Sequence, residues 1–541
     1  MSKPRIGLYS GYDPRPWVMK DCFESDLEVI QGLVKRIEAL GKYQVVWPGR
    51  RKKGWSKVVH SSELARDTAQ VLFEAEVDAV INVHPTWTFP QLSQQVMTSY
   101  AQLLRGADPT ARPRLVMVSI QDTTVPGMVS GMATGGAFNQ IGMSFEHVYG
   151  DFGDPALLAE LEGVLDLFVA RAAAAPRVRE VVEGLHRLHA LEFGSFSLQM
   201  PTTRIDQEEL ARRWGISSES LDQQVFLDRA FAMFDWAGEP GKSAIRKIRH
   251  AGVREAVEGN YDASPEKFAV LPDREVTRDK YALQVAMYFA VQEIADEKGA
   301  GAVTIKCQDE CSGVYATCCQ ATSFLGNDTD PNGRRKRMIP TSCETDLPTM
   351  YSQFLLKELS GKPSGFGDFR FVKTFVDPDL AGGSGAVNER TLLAIVNCGQ
   401  HPLYYAGREK DSLKQKRAAV EYPGQEHFYA AGGAAVRMRT AGGQDMTVAR
   451  LGVENGRLYL VACPLRTTEV SPDRHASYNR AWPIIEGEIP VTDQVMGRKW
   501  PSNHLGFVYG DLIPALIELA ERMGLGYLIW DGAGREFSRP S

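Results

Sequence analysis

Residues 341–368 read TSCETDLPTMYSQFLLKELSGKPSGFGD and gather the residue types best suited to chemistry. Glu344 and Asp346 stand before a helical pattern, and Asp368 follows its close. Asp346 is placed to cap that helix, Pro348 suits its first turn, and Gly361 ends it. Glu344 precedes the cap, so it projects from a strand end into the space above a helix N-terminus. Asp368 follows a glycine-rich turn and opens the β-type run FRFVKTFV, which puts both acids at element ends. Acids so placed are either dipole-stabilising groups at a helix start or a pair that moves protons. Spacing alone leaves both readings open.

Two further residue types bear on a metal. Cys307, Cys311, Cys318, Cys319 and Cys343 crowd one stretch, yet their spacing matches no ligand knuckle, and cysteine is also a common small core residue. A hard or borderline divalent ion would instead take carboxylates with an imidazole. Of the ten histidines, His504 lies in a polar loop, KWPSNHLGFVYGDL, before a closing helix, while His401 and His427 lie beside glycines. Residue type does not choose among them.

The elements that must hold these groups follow from periodicity. Short apolar strands (IGLYSGYD, YQVVWPG, VDAVINVHPTW, RLVMVSI) alternate with amphipathic helices over the first 150 residues, the pattern of a parallel doubly wound sheet. Ligands of such sheets bind beyond the carboxyl ends of the strands, where Tyr12–Arg15 and His84–Trp87 fall. A long helix over 155–190 leads to a second α/β segment, and beyond about 370 short β runs separated by turns predict an antiparallel, barrel-like domain. The expected fold is α/β: two doubly wound domains, 1–174 and 175–358, then a β-rich domain, 359–541. A net charge of −6 argues against nucleic acid as a partner. No apolar run approaches membrane-spanning length, and the first residues carry no signal-peptide pattern, so a cytoplasmic protein with reduced thiols is expected.

The stretches TIKCQ, CETDLPTMYSQFLLKELSGKP, GFGDF and SNHLGFVYGD resemble the active-site segments of L-fucose isomerase and its relatives. Weaker likenesses lie in SGYDPRPW, VHPTWTF, EFGSFSLQM and HFYAAGGAAVRMRT, so the resemblance spans all three domains. It implies a metal-dependent aldose–ketose isomerase that moves a proton between C1 and C2 of a hexose through a cis-enediol. On this resemblance Glu344, Asp368 and His504 are the metal ligands, the two acids also transfer the proton, and Mn²⁺ is the usual ion. Gln308 and Asn503 become substrate contacts. Arg15 and Trp87 resemble positions donated across a subunit interface, which implies a homo-oligomer, a hexamer. Two basic runs, GRRKKGWSK at 49–57 and NGRRKR at 332–337, raise a C6-anionic hexose such as sulfoquinovose beside an L-fucose-like sugar. The rival readings are a non-catalytic sugar-binding protein of tandem α/β domains and a protein holding metal through Cys307–Cys343.

Overall fold

Alternating strands and helices assemble as the periodicity predicts. In the computed structural model, which describes residues 3–376 and 389–539, five strands form one parallel sheet: β1 (Arg5–Tyr9), β2 (Gln44–Val46), β3 (Ala79–His84), β4 (Leu115–Ile120) and β5 (Glu146–Gly150). Their order is β2-β1-β3-β4-β5, so the winding reverses between β1 and β3. Every residue of β3 is buried, as a strand covered on both faces requires. The helix Phe23–Ala39 covers the sheet with Leu27, Ile30, Val34 and Ile37, spaced three to four apart on one stripe. Ser61 caps the helix Ser62–Glu74 by accepting the Leu64 N–H.

The chain divides into two units, Met1–Arg179 with Ile517–Gly524, and Glu180–Leu516 with Leu525–Ser541. The second half of the closing helix, Ile513–Met523, thus counts with the first unit. Electrostatics explains the assignment: buried Glu518 lies 2.8 Å from Arg114 and 3.4 Å from Arg171.

The second unit holds two layers. A parallel four-stranded sheet contains β6 (His189–Phe193), β7 (Ser217–Leu221), β10 (Ala302–Ile305) and β11 (Thr341–Cys343), in the order β11-β10-β6-β7, with a small hairpin of β8 (Phe234–Trp236) and β9 (Ile245–Ile248) beside it. The β-rich part contains β12 (Gly365–Val376), β13 (Glu389–Val396), β14 (Asp445–Glu454), β15 (Arg457–Thr467), β16 (Ile484–Ile489) and β17 (His504–Tyr509). These pair antiparallel in the cycle β14-β17-β12-β13-β16-β15 and back to β14, a closed barrel. Two last strands, β18 (Gly526–Trp530) and β19 (Glu536–Arg539), extend it from β15. The fold class is α/β with a β-rich C-terminal region, as expected.

Two local expectations fail. Asp368 sits inside β12, not after a turn, and His504 is the first residue of β17, not part of a loop. The glycines that suggested a turn serve close packing instead. A side chain at Gly365 would place its Cβ 2.2 Å from the Phe507 ring, and one at Gly367 would lie 2.2 Å from Ile395. Gly365→Ala is therefore expected to destabilise the second unit by about 1–3 kcal/mol through overpacking. Urea unfolding against the parent protein measures this.

Candidate active site

Backbone geometry brings the acids and the imidazole together. In the β12–β17 ladder Asp368 is directly opposite His504, so their side chains share one face of the barrel wall. Glu344 comes from the other layer, one residue past the end of β11. It and Thr345 take left-handed backbone angles, φ +60° and +50°, a conformation that non-glycine residues adopt only when their surroundings impose it. The surroundings here are hydrogen bonds: Thr345 Oγ1 donates to the Ser195 carbonyl at 2.6 Å, and Ser342 Oγ donates to the Asp346 carbonyl at 2.8 Å. Asp346 then caps the helix Leu347–Ser360 by accepting the Thr349 N–H at 2.9 Å, and Gly361 ends that helix in a left-handed turn.

Both ring nitrogens of His504 face carboxylates. Its Nδ1 lies 2.6 Å from Asp346 Oδ2, while Nε2 lies 3.2 Å from Glu344 Oε2 and 3.1 Å from Asp368 Oδ1. The two ends of the ring differ. Nδ1 is hydrogen-bonded, whereas Nε2, fully buried, has ion-pair proximity to two carboxylates but no hydrogen bond of acceptable alignment. The Phe366 ring covers the imidazole at 4.7 Å between centroids. Burial alone would lower the His504 pKa, but the charge of Asp368 and the contacts of Asp346, Asp368 and Glu344 outweigh it and hold the pKa well above its ordinary value.

Asp346 does more than the capping assigned from sequence. Its Oδ2 also accepts from Arg450 Nη1 at 2.7 Å, and both side chains are essentially inaccessible. Burial would raise its pKa, yet the Arg450 guanidinium and His504 hold it well below the usual carboxylate range. Arg450, on β14, donates onward to the Thr202 carbonyl at 2.7 Å. No sequence signal marks Arg450, since a lone arginine in an apolar β run has many structural uses.

Two of the four sequence-derived substrate contacts, Gln308 and Asn503, group at this place. Gln308 Nε2 donates to Glu344 Oε1 at 3.1 Å and to the Tyr429 hydroxyl at 3.2 Å. Asn503 Nδ2 donates to Asp368 Oδ1 at 3.1 Å. Tyr429 was not anticipated; burial raises its phenol well above the ordinary value, so it remains a neutral donor. Arg15 and Trp87 belong to the first unit, after β1 and β3, where the winding reverses. Arg15 is an exposed guanidinium braced on Asp13, with Nε 2.9 Å from Oδ2, and Trp87 is half-buried.

Residues of both basic runs pair with acids other than Glu344 and Asp368. Arg334 pairs with Glu255 and Arg337 with Asp296, each at 2.6 Å, and Arg335 pairs with Asp328. In the first run Arg50 pairs with Glu38 at 2.7 Å and Lys52 with Asp67 at 3.4 Å. The five crowded cysteines are buried and free. Contact with Cys398 lowers the Cys343 thiol, but burial pushes it up to about 12, and Cys318 and Cys319, hydrogen-bonded to neighbouring thiols, are held well above the usual range. Such thiols are inert. As the side chains stand, no group of three or more His, Cys, Asp or Glu among the described residues could hold a metal ion.

Paired acids, an imidazole with one bare nitrogen and amide donors, set between a parallel sheet and a barrel, define a polyol-handling proton-transfer enzyme. Comparison with family models agrees: L-fucose isomerase, first N-terminal domain, matches residues 3–179, and L-fucose isomerase, C-terminal domain, matches residues 395–530. The chain belongs to the L-fucose isomerase-like family and is an enzyme, an aldose–ketose isomerase. No curated protein matches it. Among the described residues, no helix is long and apolar enough to cross a membrane.

The buried ion pair generates a direct test. Arg450→Met removes the guanidinium and leaves the inaccessible Asp346 carboxylate with His504 and the Thr349 N–H as its partners. Breaking a buried pair in this way costs about 3–5 kcal/mol, to be read as a lowered urea midpoint. Replacing Asp346 as well, by Asn, should recover part of the loss.

Proposed function

We propose that this enzyme isomerises a hexose between aldose and ketose with a divalent ion held by Glu344, Asp368 and His504. The observation that carries the reading is the bare Nε2 of His504, buried between two carboxylate oxygens at 3.1 and 3.2 Å. Neighbouring ligands at about 2.1 Å from one ion are about 3 Å apart, so the two imidazole–carboxylate spacings are of the right size, and the O, O, N donor set suits an ion such as Mn²⁺ once the side chains turn to face it. When bound, the ion supplies Lewis-acid stabilisation of negative charge on the two adjacent sugar oxygens.

The chain's own residues do the rest. Glu344 and Asp368 hold and return the proton that passes between C1 and C2, with Glu344 as the initiating base. Asp346, fixed by Arg450, accepts the Nδ1–H of His504 and so keeps the Nε2 lone pair turned toward the acids. Gln308 steadies Glu344, Asn503 steadies Asp368, and both amides have further capacity for sugar hydroxyls. Arg15 and Trp87, displayed beyond the carboxyl ends of β1 and β3, act on the far end of the sugar in a neighbouring copy's site, within a cytoplasmic homohexamer. With Arg334, Arg335 and Arg337 committed to acids, a neutral L-fucose-like hexose is favoured over a C6-anionic one such as sulfoquinovose.

Three results are expected. Glu344→Gln and Asp368→Asn should each lower kcat for ketose formation roughly 10²–10⁴-fold while far-UV circular dichroism stays unchanged. An excess of chelator should stop turnover, and Mn²⁺ should restore it; full activity in metal-free protein would refute the ion. Because the His504 pKa is raised by its carboxylates, the metal-free ring carries a proton at neutral pH that a ligated ion must displace. Mn²⁺ affinity, measured by titration between pH 6 and 8, should therefore increase with pH, by about tenfold per unit for one displaced proton.

A further inference from the structure

Beside the turns that lead into β11 and β12 lies a second, unassigned cavity of about 560 Å³. Its walls come from the turn that leads into β11, from the Gly361–Pro363 turn that leads into β12, and from the segment around residues 404–416. Lys362, in the second of these, lies 3.3 Å from the Tyr509 carbonyl at the end of β17. The cavity thus adjoins the turn before β11, the turn before β12 five residues ahead of Asp368, and the last residue of β17, at the far end of the helix that starts beside Glu344. The helix Leu347–Ser360 spans the interval, about 21 Å at 1.5 Å per residue.

Its charges are unevenly matched. Arg335 pairs with Asp328, and Lys362 pairs with Glu409 at 2.7 Å. Lys336 and Lys416 differ, because their ammonium groups hydrogen-bond to backbone carbonyls and face aromatic rings, with no carboxylate in ion-pair contact. Lys336 Nζ donates to Leu325 at 2.8 Å and Arg337 at 2.9 Å; Lys416 Nζ donates to Tyr404 at 2.6 Å and Glu409 at 3.0 Å. Each ammonium has three N–H groups and gives two of them to carbonyls. Lys416 is only 5% exposed, with its ammonium 3.9 Å from the Tyr404 ring centre. Burial brings Lys336 down to about 7 and lowers Lys416 as well. A nearby anion would offset this desolvation, while Glu409 and Asp411 in the same cavity accept from hydroxyls and repel a polyanion.

We propose that this cavity binds a monosaccharide-sized polyol bearing one oxyanion, with Lys336 and Lys416 on the oxyanion and Glu409 and Asp411 on the hydroxyls. A phosphate ester and a sugar carboxylate share that chemistry. On the reading of the active site given above, occupancy would act on catalysis from behind, through the roots of β11, β12 and β17. Binding itself does not depend on that reading.

The test is isothermal titration of the full chain with glucose 6-phosphate, gluconate and glucose, without metal and without turnover. Binding of one or both anionic probes is expected with Kd below about 1 mM, at least tenfold tighter than glucose; the two anionic arms separate phosphate from carboxylate. Lys336→Met and Lys416→Met should each weaken it about tenfold. Arg335→Glu, at a side chain 81% exposed and so harmless to folding, should weaken it several-fold even if a lysine variant fails to fold. Glu344→Gln should leave it unchanged. No binding of either anion up to about 10 mM, binding indifferent to all three cavity variants, or binding abolished by Glu344→Gln would each overturn the proposal. Loss of turnover in Glu344→Gln with anion binding retained leaves the two conclusions separately tested.

Discussion

A single inaccessible carboxylate organises the site. Asp346 ends β11's connection to the helix Leu347–Ser360, caps that helix, neutralises Arg450 from β14, and receives Nδ1 of His504 from β17. Four elements from two layers therefore meet on two oxygens. An ionised carboxylate is tolerated at such depth only with full compensation. The compensation comes from the parallel sheet on one side and the barrel on the other, so neither layer can shift without exposing an uncompensated charge.

That constraint explains how the reacting face is kept open. Glu344 is held in a left-handed turn whose hydrogen bonds go to Ser195 and to the Asp346 backbone, leaving its carboxylate free to meet Gln308 and His504. Asp368 is half-exposed and reaches the same ring nitrogen from the ladder. Structural work is done by the acid that is wholly inaccessible, while Asp368 is the one most open to solvent and Glu344 is nearly buried. The division fits an aldose–ketose isomerase, whose acids must exchange protons with a polar substrate.

Much of this was legible in the sequence, for physical reasons that differ by residue. The parallel sheets were readable because doubly buried strands such as AVINVH are continuous apolar runs. The helix after Asp346 carried its own punctuation at both ends, and the cap, Pro348 and Gly361 all occupy the places read for them. Asp368 was misplaced because Gly365 and Gly367 look like turn residues. In fact they admit Phe507 and Ile395, a tertiary demand invisible to local pattern. Arg450 and Tyr429 were missed for the same reason, since each acquires meaning only from partners more than a hundred residues away. The basic run near Glu344 along the chain has its arginines on the surface beside Glu255, Asp328 and Asp296, pairings that only the folded chain creates.

The direct opposition of Asp368 and His504 in an antiparallel ladder bears on how this family can vary. Side chains in a strand alternate sides, so one residue inserted between Gly365 and Asp368 would turn the acid to the opposite face of the barrel wall. Point substitutions there alter one contact, whereas a change of length moves every following residue of the strand to the wrong side. Drift in this segment is therefore confined to exchange of residues at constant count, and the length from Gly365 to Asp368 acts as a ruler built into the chain.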